Sequence, residues 1–259
     1  MFVVFNKQKI YAYIVSLITV VLLFCMATTM NKKEDSIVTS ANVEKLLPIY
    51  NVETQDKKIA FTMNCAWNDD DIDEILEVLE RQNIKITFFM VGDWIDKYPE
   101  AAQEIYKAGH EIASHSDTHP HVNNLSYEKN IEEIEKSNDK IESITGKRTK
   151  IYRSPYGEYN DTVVKATTDK GYYQIQWNLD TLDYTGITGD EMWNRIKDKL
   201  ENGDIILSHN GTKYTAKSLE MLITNIKEKG FEIVTISNLI YENNYIINSN
   251  GTQIQKLEE

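Results

Sequence analysis

The chain has 259 residues, enough to bury a sizeable core, and carries a net charge of −12 with a pI near 5.0. Binding to nucleic-acid phosphates needs clustered Lys and Arg, so this balance excludes a nucleic-acid partner. The cysteines, Cys25 inside an apolar run and Cys65 beside a strand, argue against a disulfide, and the length suits one catalytic-sized domain better than two.

In chain order, Lys7 and Lys9 precede an apolar run from Tyr11 to Met30, close to the roughly 20 residues that span a bilayer. An N-terminal membrane helix within 1–30 is therefore expected, single-pass, with the lysines inside and the remainder outside the cytoplasm. A cleaved signal segment, giving a secreted protein, is the alternative. No A-x-A site follows the run, and Phe24 is too bulky before Cys25 for a lipoprotein signal. Residues 31–56 form a polar linker, 57–240 the folded domain, and 241–259 an Asn-rich tail expected to be loosely held.

Within the domain, strand and helix signals alternate. Lys58 to Met63 reads as a strand, and Ile72, Ile75, Leu76 and Leu79 recur at helical spacing behind an acidic first turn. Ile84 to Val91 is a buried strand; Pro99 suits the first position of a helix; His110 to Ser114 is a short strand. A helix carrying Ile131, Ile134, Ile141 and Ile144 stops at Gly146, and short strands follow near Ile151, Tyr173 to Trp177, Ile205 to Ser208 and Ile233 to Thr235. Parallel βα units follow, as an open doubly wound sheet or a (β/α) barrel. Candidate polar residues fall at the ends of at least five successive strands: Asn64, His115 with His119, Arg153, Asp180 with Asp183, and His209. Their convergence requires a closed or nearly closed barrel.

The pair His115 and His119, four residues apart, puts two imidazoles on one face of a helical turn, within reach of one divalent ion. Five blocks surround this pair in order: Phe61 to Trp67, His115 to His119, Arg153 to Gly157, Asp180 to Tyr184, and Ile206 to Asn210. Together they resemble the polysaccharide deacetylases with a NodB homology domain, over roughly Lys57 to Leu239. The resemblance implies a distorted (β/α) barrel of the NodB type, one Zn²⁺ (or Co²⁺) held by Asp-His-His, and removal of acetyl groups from cell-wall or extracellular glycans.

Carried over residue by residue, His115 and His119 match the two imidazole ligands, His209 the general acid, and Asp183 the carboxylate that orients it. Tyr156 supplies a backbone N–H toward the oxyanion, and Arg153 pairs with the catalytic carboxylate of the first block. Pro155, Tyr156, Trp67, Trp177, Tyr184 and Leu207 would wall the sugar site. The first block departs from the family's Thr-Phe-Asp-Asp: here it is Thr62-Met63-Asn64-Cys65, and an amide such as Asn64 cannot act as a base. Asp70 is the expected third metal ligand, with Asp69, Asp71 and Cys65 as alternatives; the same acidic run also suits a solvated helix N-terminus. His110 reads as a core histidine, His121 as a surface loop residue, and Asp180 as a strand end. The expectation is a metal-dependent deacetylase of N-acetylated glycans, slow for want of its base. The alternative is a catalytically silent glycan-binding protein.

Overall fold

The computed structural model describes residues 11, 14–22 and 46–256. Residues 14–22 are helical and belong to a unit separate from Lys45–Glu259. The rest of the expected membrane segment lies outside the described residues, and among those described no helix is long and apolar enough to cross a membrane.

The unit from Lys45 onward is built on a curled parallel sheet. Its strands are β2 (Lys58–Cys65), β3 (Thr87–Met90), β4 (Glu111–Ser114), β5 (Ile151–Tyr152), β6 (Tyr173–Gln174), β7 (Leu179–Asp180) and β8 (Ile205–His209). Their order is β6-β5-β4-β3-β2-β8-β7, all parallel, with β9 (Glu232–Ile233) pairing the first residues of β2. Helices α1 (Ile72–Arg81), α2 (Gly92–Lys97), α3 (Pro99–Lys107), α4 (Tyr127–Thr145), α5 (Asp161–Asp169), α6 (Gly189–Ile196), α7 (Thr215–Glu228) and α8 (Ile236–Leu239) occupy the connections.

Local chemistry sets these limits. Pro99 opens α3, where its missing N–H costs nothing. Ser126 caps α4 by accepting from Lys129 N at 3.2 Å, and Gly146 ends it at φ 74°, a left-handed turn that suits glycine.

Side chains on a strand alternate between faces, and β2 shows what that does. Ile59, Phe61, Met63 and Cys65 enter the core between sheet and helices, with Phe88, Met90, Leu79 and Leu222. Ala60 faces the inside of the curl with Phe89, Ala113, Ile175 and Ile205. Thr62 and Asn64 share that inner face, in register with Leu207 and His209 of β8.

The sheet curls into a half-barrel rather than closing, since β6 and β7 remain its two ends. A strap runs from the end of β6 to the residues that enter β8. Ile49 N donates to Gln174 O at 2.8 Å, Gln176 N donates to Ile49 O at 2.7 Å, and Val52 N donates to Gly203 O at 2.9 Å. The strap continues as β1 (Asn51–Val52), which pairs with β11 (Thr252–Gln255); β11 in turn pairs with β10 (Tyr245–Ile247). The tail expected to be loose is thus ordered through residue 256. Gln253, fully buried, exchanges hydrogen bonds with the backbone of Tyr241 at 2.9 and 2.7 Å, which satisfies its amide without water.

Candidate functional site

The C-terminal ends of β2, β4, β5 and β8 meet over a cavity of about 420 Å³ lined by Asn64, Ala66, Trp67, His115, His119, Tyr156, Gly157, Trp177, Tyr184, Leu207 and His209. Of the residues singled out in the sequence, the structure brings Asn64, Trp67, His115, His119, Tyr156, Trp177, Tyr184, Leu207 and His209 to this one cavity. Arg153 and Asp183 lie directly behind it, fully buried.

The histidine pair sits on a loop, not on a helical turn: Ser116 has φ 71° and His119 φ 56°. The two rings stand edge to face with centroids 4.9 Å apart. One carboxylate holds the loop in this left-handed path. Glu133 of α4 accepts from Ser116 Oγ at 2.6 Å, Asp117 N at 3.1 Å, Thr118 N at 2.9 Å and Thr118 Oγ1 at 3.0 Å. No sequence signal had marked Glu133 out from the other acidic residues of that helix.

His115 Nδ1 lies 2.9 Å from the Arg153 carbonyl, which can only accept, so Nδ1 carries the proton and Nε2 is bare. Burial, with His119 beside it, holds the His115 pKa well below the usual histidine range, and burial lowers that of His119 as well.

Arg153 donates through Nη1 to Thr62 Oγ1 and Asn64 Oδ1, both at 2.9 Å, through Nη2 to Gln176 O at 3.1 Å, and through Nε to Ile175 O at 3.3 Å. Its guanidinium stands 3.8 Å from the centroid of the Phe89 ring. Burial works against its charge, yet a guanidinium does not lose its proton in a protein, so a cation stays in the wall with neutral partners only. Where the family resemblance implied a carboxylate, Asn64 accepts the Arg153 hydrogen bond.

On the opposite wall, His209 Nδ1 donates to Asp183 Oδ1 at 2.8 Å, which turns Nε2 toward the cavity. Asp183 also accepts from His209 N at 2.6 Å, Thr215 Oγ1 at 2.8 Å and Tyr184 N at 2.9 Å. Its charge is therefore met by four donors rather than by solvent. Trp67 and Tyr184 flank the His209 ring with centroids 5.3 Å away each, and the rings of Tyr156 and His119 stand edge to face with centroids 4.5 Å apart. Tyr156 takes a left-handed conformation (φ 57°), and Pro155 before it is buried and does not line the cavity.

Asp70 is not part of this group. It is exposed at the start of α1, where a carboxylate is favoured by the helix N-terminus and by water. Its neighbour Asp71 accepts from Gly211 N at 2.8 Å and Asn210 Nδ2 at 3.3 Å, which ties the loop after β2 to the loop after β8. Cys65, on the face of β2 away from Asn64, is buried in the core, and burial pushes its thiol well up. Among the described residues no three His, Cys, Asp or Glu side chains come together to hold a metal ion. A zinc site needs at least three protein ligands, so the donors present do not fit the metal that the resemblance implied.

A half-barrel with a histidine dyad on one wall and a histidine pair on the other defines the carbohydrate deacetylase class of fold. Residues 51–175 match the family described as polysaccharide deacetylase, and the chain belongs to that family. The chain is 34% identical over 205 residues to the uncharacterized protein YlxY of Bacillus subtilis, covering 78% of this chain and 64% of that one. It is 26% identical over 201 residues to a peptidoglycan-N-acetylglucosamine deacetylase of Bacillus cereus, covering 76% and 73%. Among solved structures, a CE4 family pseudoenzyme from Bacillus anthracis superposes with a TM-score of 0.72 at 32% identity, over 76% of this chain and 70% of that one. A mutant of that pseudoenzyme has restored enzymatic activity.

Proposed function

We propose that this protein binds N-acetylated cell-wall glycan, of the peptidoglycan class, in a deacetylase groove whose hydrolytic step is switched off. The observation that carries the reading is Asn64. It stands where water activation needs a carboxylate, it accepts from Arg153 as a carboxylate would, and an amide cannot take a proton at neutral pH.

The rest of the groove supports binding. Trp67, Tyr156 and Tyr184 are half-exposed rings around a cavity of sugar size, with Ala66, Leu207 and Trp177 as apolar wall. The deacetylases and the pseudoenzyme among the relatives support the glycan class and the silent state respectively. The apolar run from Tyr11 to Met30 supports a location outside the cytoplasm, where wall glycan lies.

The His209–Asp183 dyad favours a second reading, a slow deacetylase, because a general acid with its orienting carboxylate is in place. One experiment separates the two: acetate release and equilibrium binding, both measured on N-acetylglucosamine oligomers and on peptidoglycan. Binding without acetate release is the expected result. Turnover that disappears in His209→Ala would establish the slow enzyme instead.

A further inference from the structure

Beneath the cavity lies a cation with no counter-charge. Arg153, fully buried, donates to Thr62 Oγ1, Asn64 Oδ1, Ile175 O and Gln176 O, and the rings of Phe89 and Trp177 have their centroids 3.8 and 5.5 Å from its guanidinium. None of these partners is a carboxylate. Buried charges are ordinarily paired, because neutral partners restore only part of what water supplied. The floor also holds more donors than acceptors. The five guanidinium N–H groups make four hydrogen bonds among the described residues. Gln176 Nε2, in a residue 1% exposed, has no partner. Its amide lies beneath the cavity-lining Gly157, where an added Cβ would stand 3.7 Å from Gln176 Oε1.

Asn64 carries this imbalance to the cavity. Arginine only donates, so the amide oxygen faces Arg153 and the amide nitrogen is the other end. One of its two protons goes to His115 Nε2 at 3.3 Å, and the second has no acceptor among the described residues. A hydrogen bond from a cation to the oxygen polarises the amide and makes that N–H a stronger donor. No residue lining the cavity is acidic. Across it, Asp183 is fully buried and its charge is already met by four donors, His209 Nδ1 among them. From this we infer that the cavity takes a carboxylate-bearing sugar, whose anionic group settles against Asn64 and supplies the charge that Arg153 lacks. The inference rests on the cavity being a glycan site and narrows the ligand to acidic glycans. The half-exposed rings of Trp67, Tyr156 and Tyr184 meet the sugar, and the floor meets the acid. Arg153 does not touch the ligand and acts through Asn64, as a positioning residue. A carboxylate at position 64 would pair with Arg153 itself, and the floor would then repel an acid.

The test compares methyl glucuronide with methyl glucoside, which differ only in a carboxylate for a hydroxymethyl group, by calorimetry on the full chain. The wild type is expected to bind the glucuronide about tenfold more tightly or better, as a charged hydrogen-bond partner should give. Asn64→Asp is expected to lose or reverse that preference. A preference that persists unchanged in Asn64→Asp would overturn the inference, because the charge would then be read elsewhere. Acetate that binds as tightly as the glucuronide would overturn it too, since the cavity would then hold a bare anion and not a sugar acid. Equal affinity for the two glycosides, alongside binding of N-acetylglucosamine oligomers, would overturn this inference and leave the glycan reading standing. Glucuronide binding without oligomer binding would support it and remove only the N-acetyl part of that reading. Should Asn64→Asp fail to fold, Arg153→Met replaces it, with the preference again expected to vanish, and the wild-type comparison decides without any variant.

Discussion

Glu133 offers a direct check on how the histidine loop is held. Its carboxylate accepts four hydrogen bonds, from Ser116, Asp117 and Thr118, and the loop it grips contains two non-glycine residues at positive φ. Hydrogen bonds to a charged group contribute about 1.5–3 kcal/mol each, but these four share one carboxylate, and the exposed donors of Thr118 can turn to water instead. The donors of Ser116 and Asp117 are buried and would be left unpaired. Glu133→Ala is therefore expected to cost about 2–4 kcal/mol. The loop should also relax from its left-handed path, since residues of this kind stay at positive φ only where their surroundings hold them. Urea denaturation gives the first quantity and the ring resonances of His119 the second. Glu133→Gln, which keeps the shape but not the charge, should lose about half as much. A loss under about 0.5 kcal/mol with unmoved His119 signals would show that the loop holds itself and that the latch is incidental.

Three further outcomes follow from the structure. His110 is buried with its Nδ1 accepting from Ile86 N at 3.2 Å, and burial, aided by Lys85, lowers its pKa from 6.5 to about 4. The unfolded chain then binds more protons between those two values. The stability supplied by neutral His110 is present above about pH 6.5 and falls by about 3 kcal/mol as pH drops to about 4, at about 1.4 kcal/mol per unit; urea midpoints at pH 7 and pH 4 should show a shallower fall in His110→Gln, and equal slopes would dismiss the assignment. A glycine-to-alanine change at Gly203 would drive a Cβ into the backbone carbonyl of Val52 and strain a φ of +81°, so Gly203→Ala should lower the melting temperature more than Gly146→Ala, whose added Cβ meets nothing within 4 Å. Loss of the half-exposed ring in Trp67→Ala should weaken N-acetylglucosamine-oligomer binding by about tenfold without altering the denaturation midpoint, since ring contacts of this kind contribute about 1–1.5 kcal/mol.

Much of the architecture could be deduced from local patterns. The strand signal along Lys58 to Met63, the apolar spacing from Ile72 to Leu79 and the stop at Gly146 each depend on a few neighbouring residues, and the observed elements follow them closely, the strand running on to Cys65. The convergence of Asn64, His115, His119, Tyr156 and His209 was equally legible, because parallel strands deliver the residues after their C-terminal ends to one face. What escaped were features that depend on distant partners. The exposure of Asp70 was not legible because it depends on how the loop after β2 meets the distant loop after β8; Asp71, turned to Gly211, is the residue that does reach across. The assumption of a helical turn for the histidine pair failed because Glu133 holds that loop in another conformation. The C-terminal strands were missed because a short, Asn-rich segment has little pattern of its own until β1 gives it an edge to join.

The strap from Ile49 to Val52 has a practical consequence for anyone trimming this protein. Cutting just before Lys57, where sequence alone would start the domain, strips the cover from Gln174 and Gln176 on one flank and Gly203 on the other. It also strips β1 from one side of β11, which keeps β10 alone as a partner. Unpaired strand edges of that sort invite other chains to dock, so such a fragment should clump where a product beginning at Leu46 would stay dispersed.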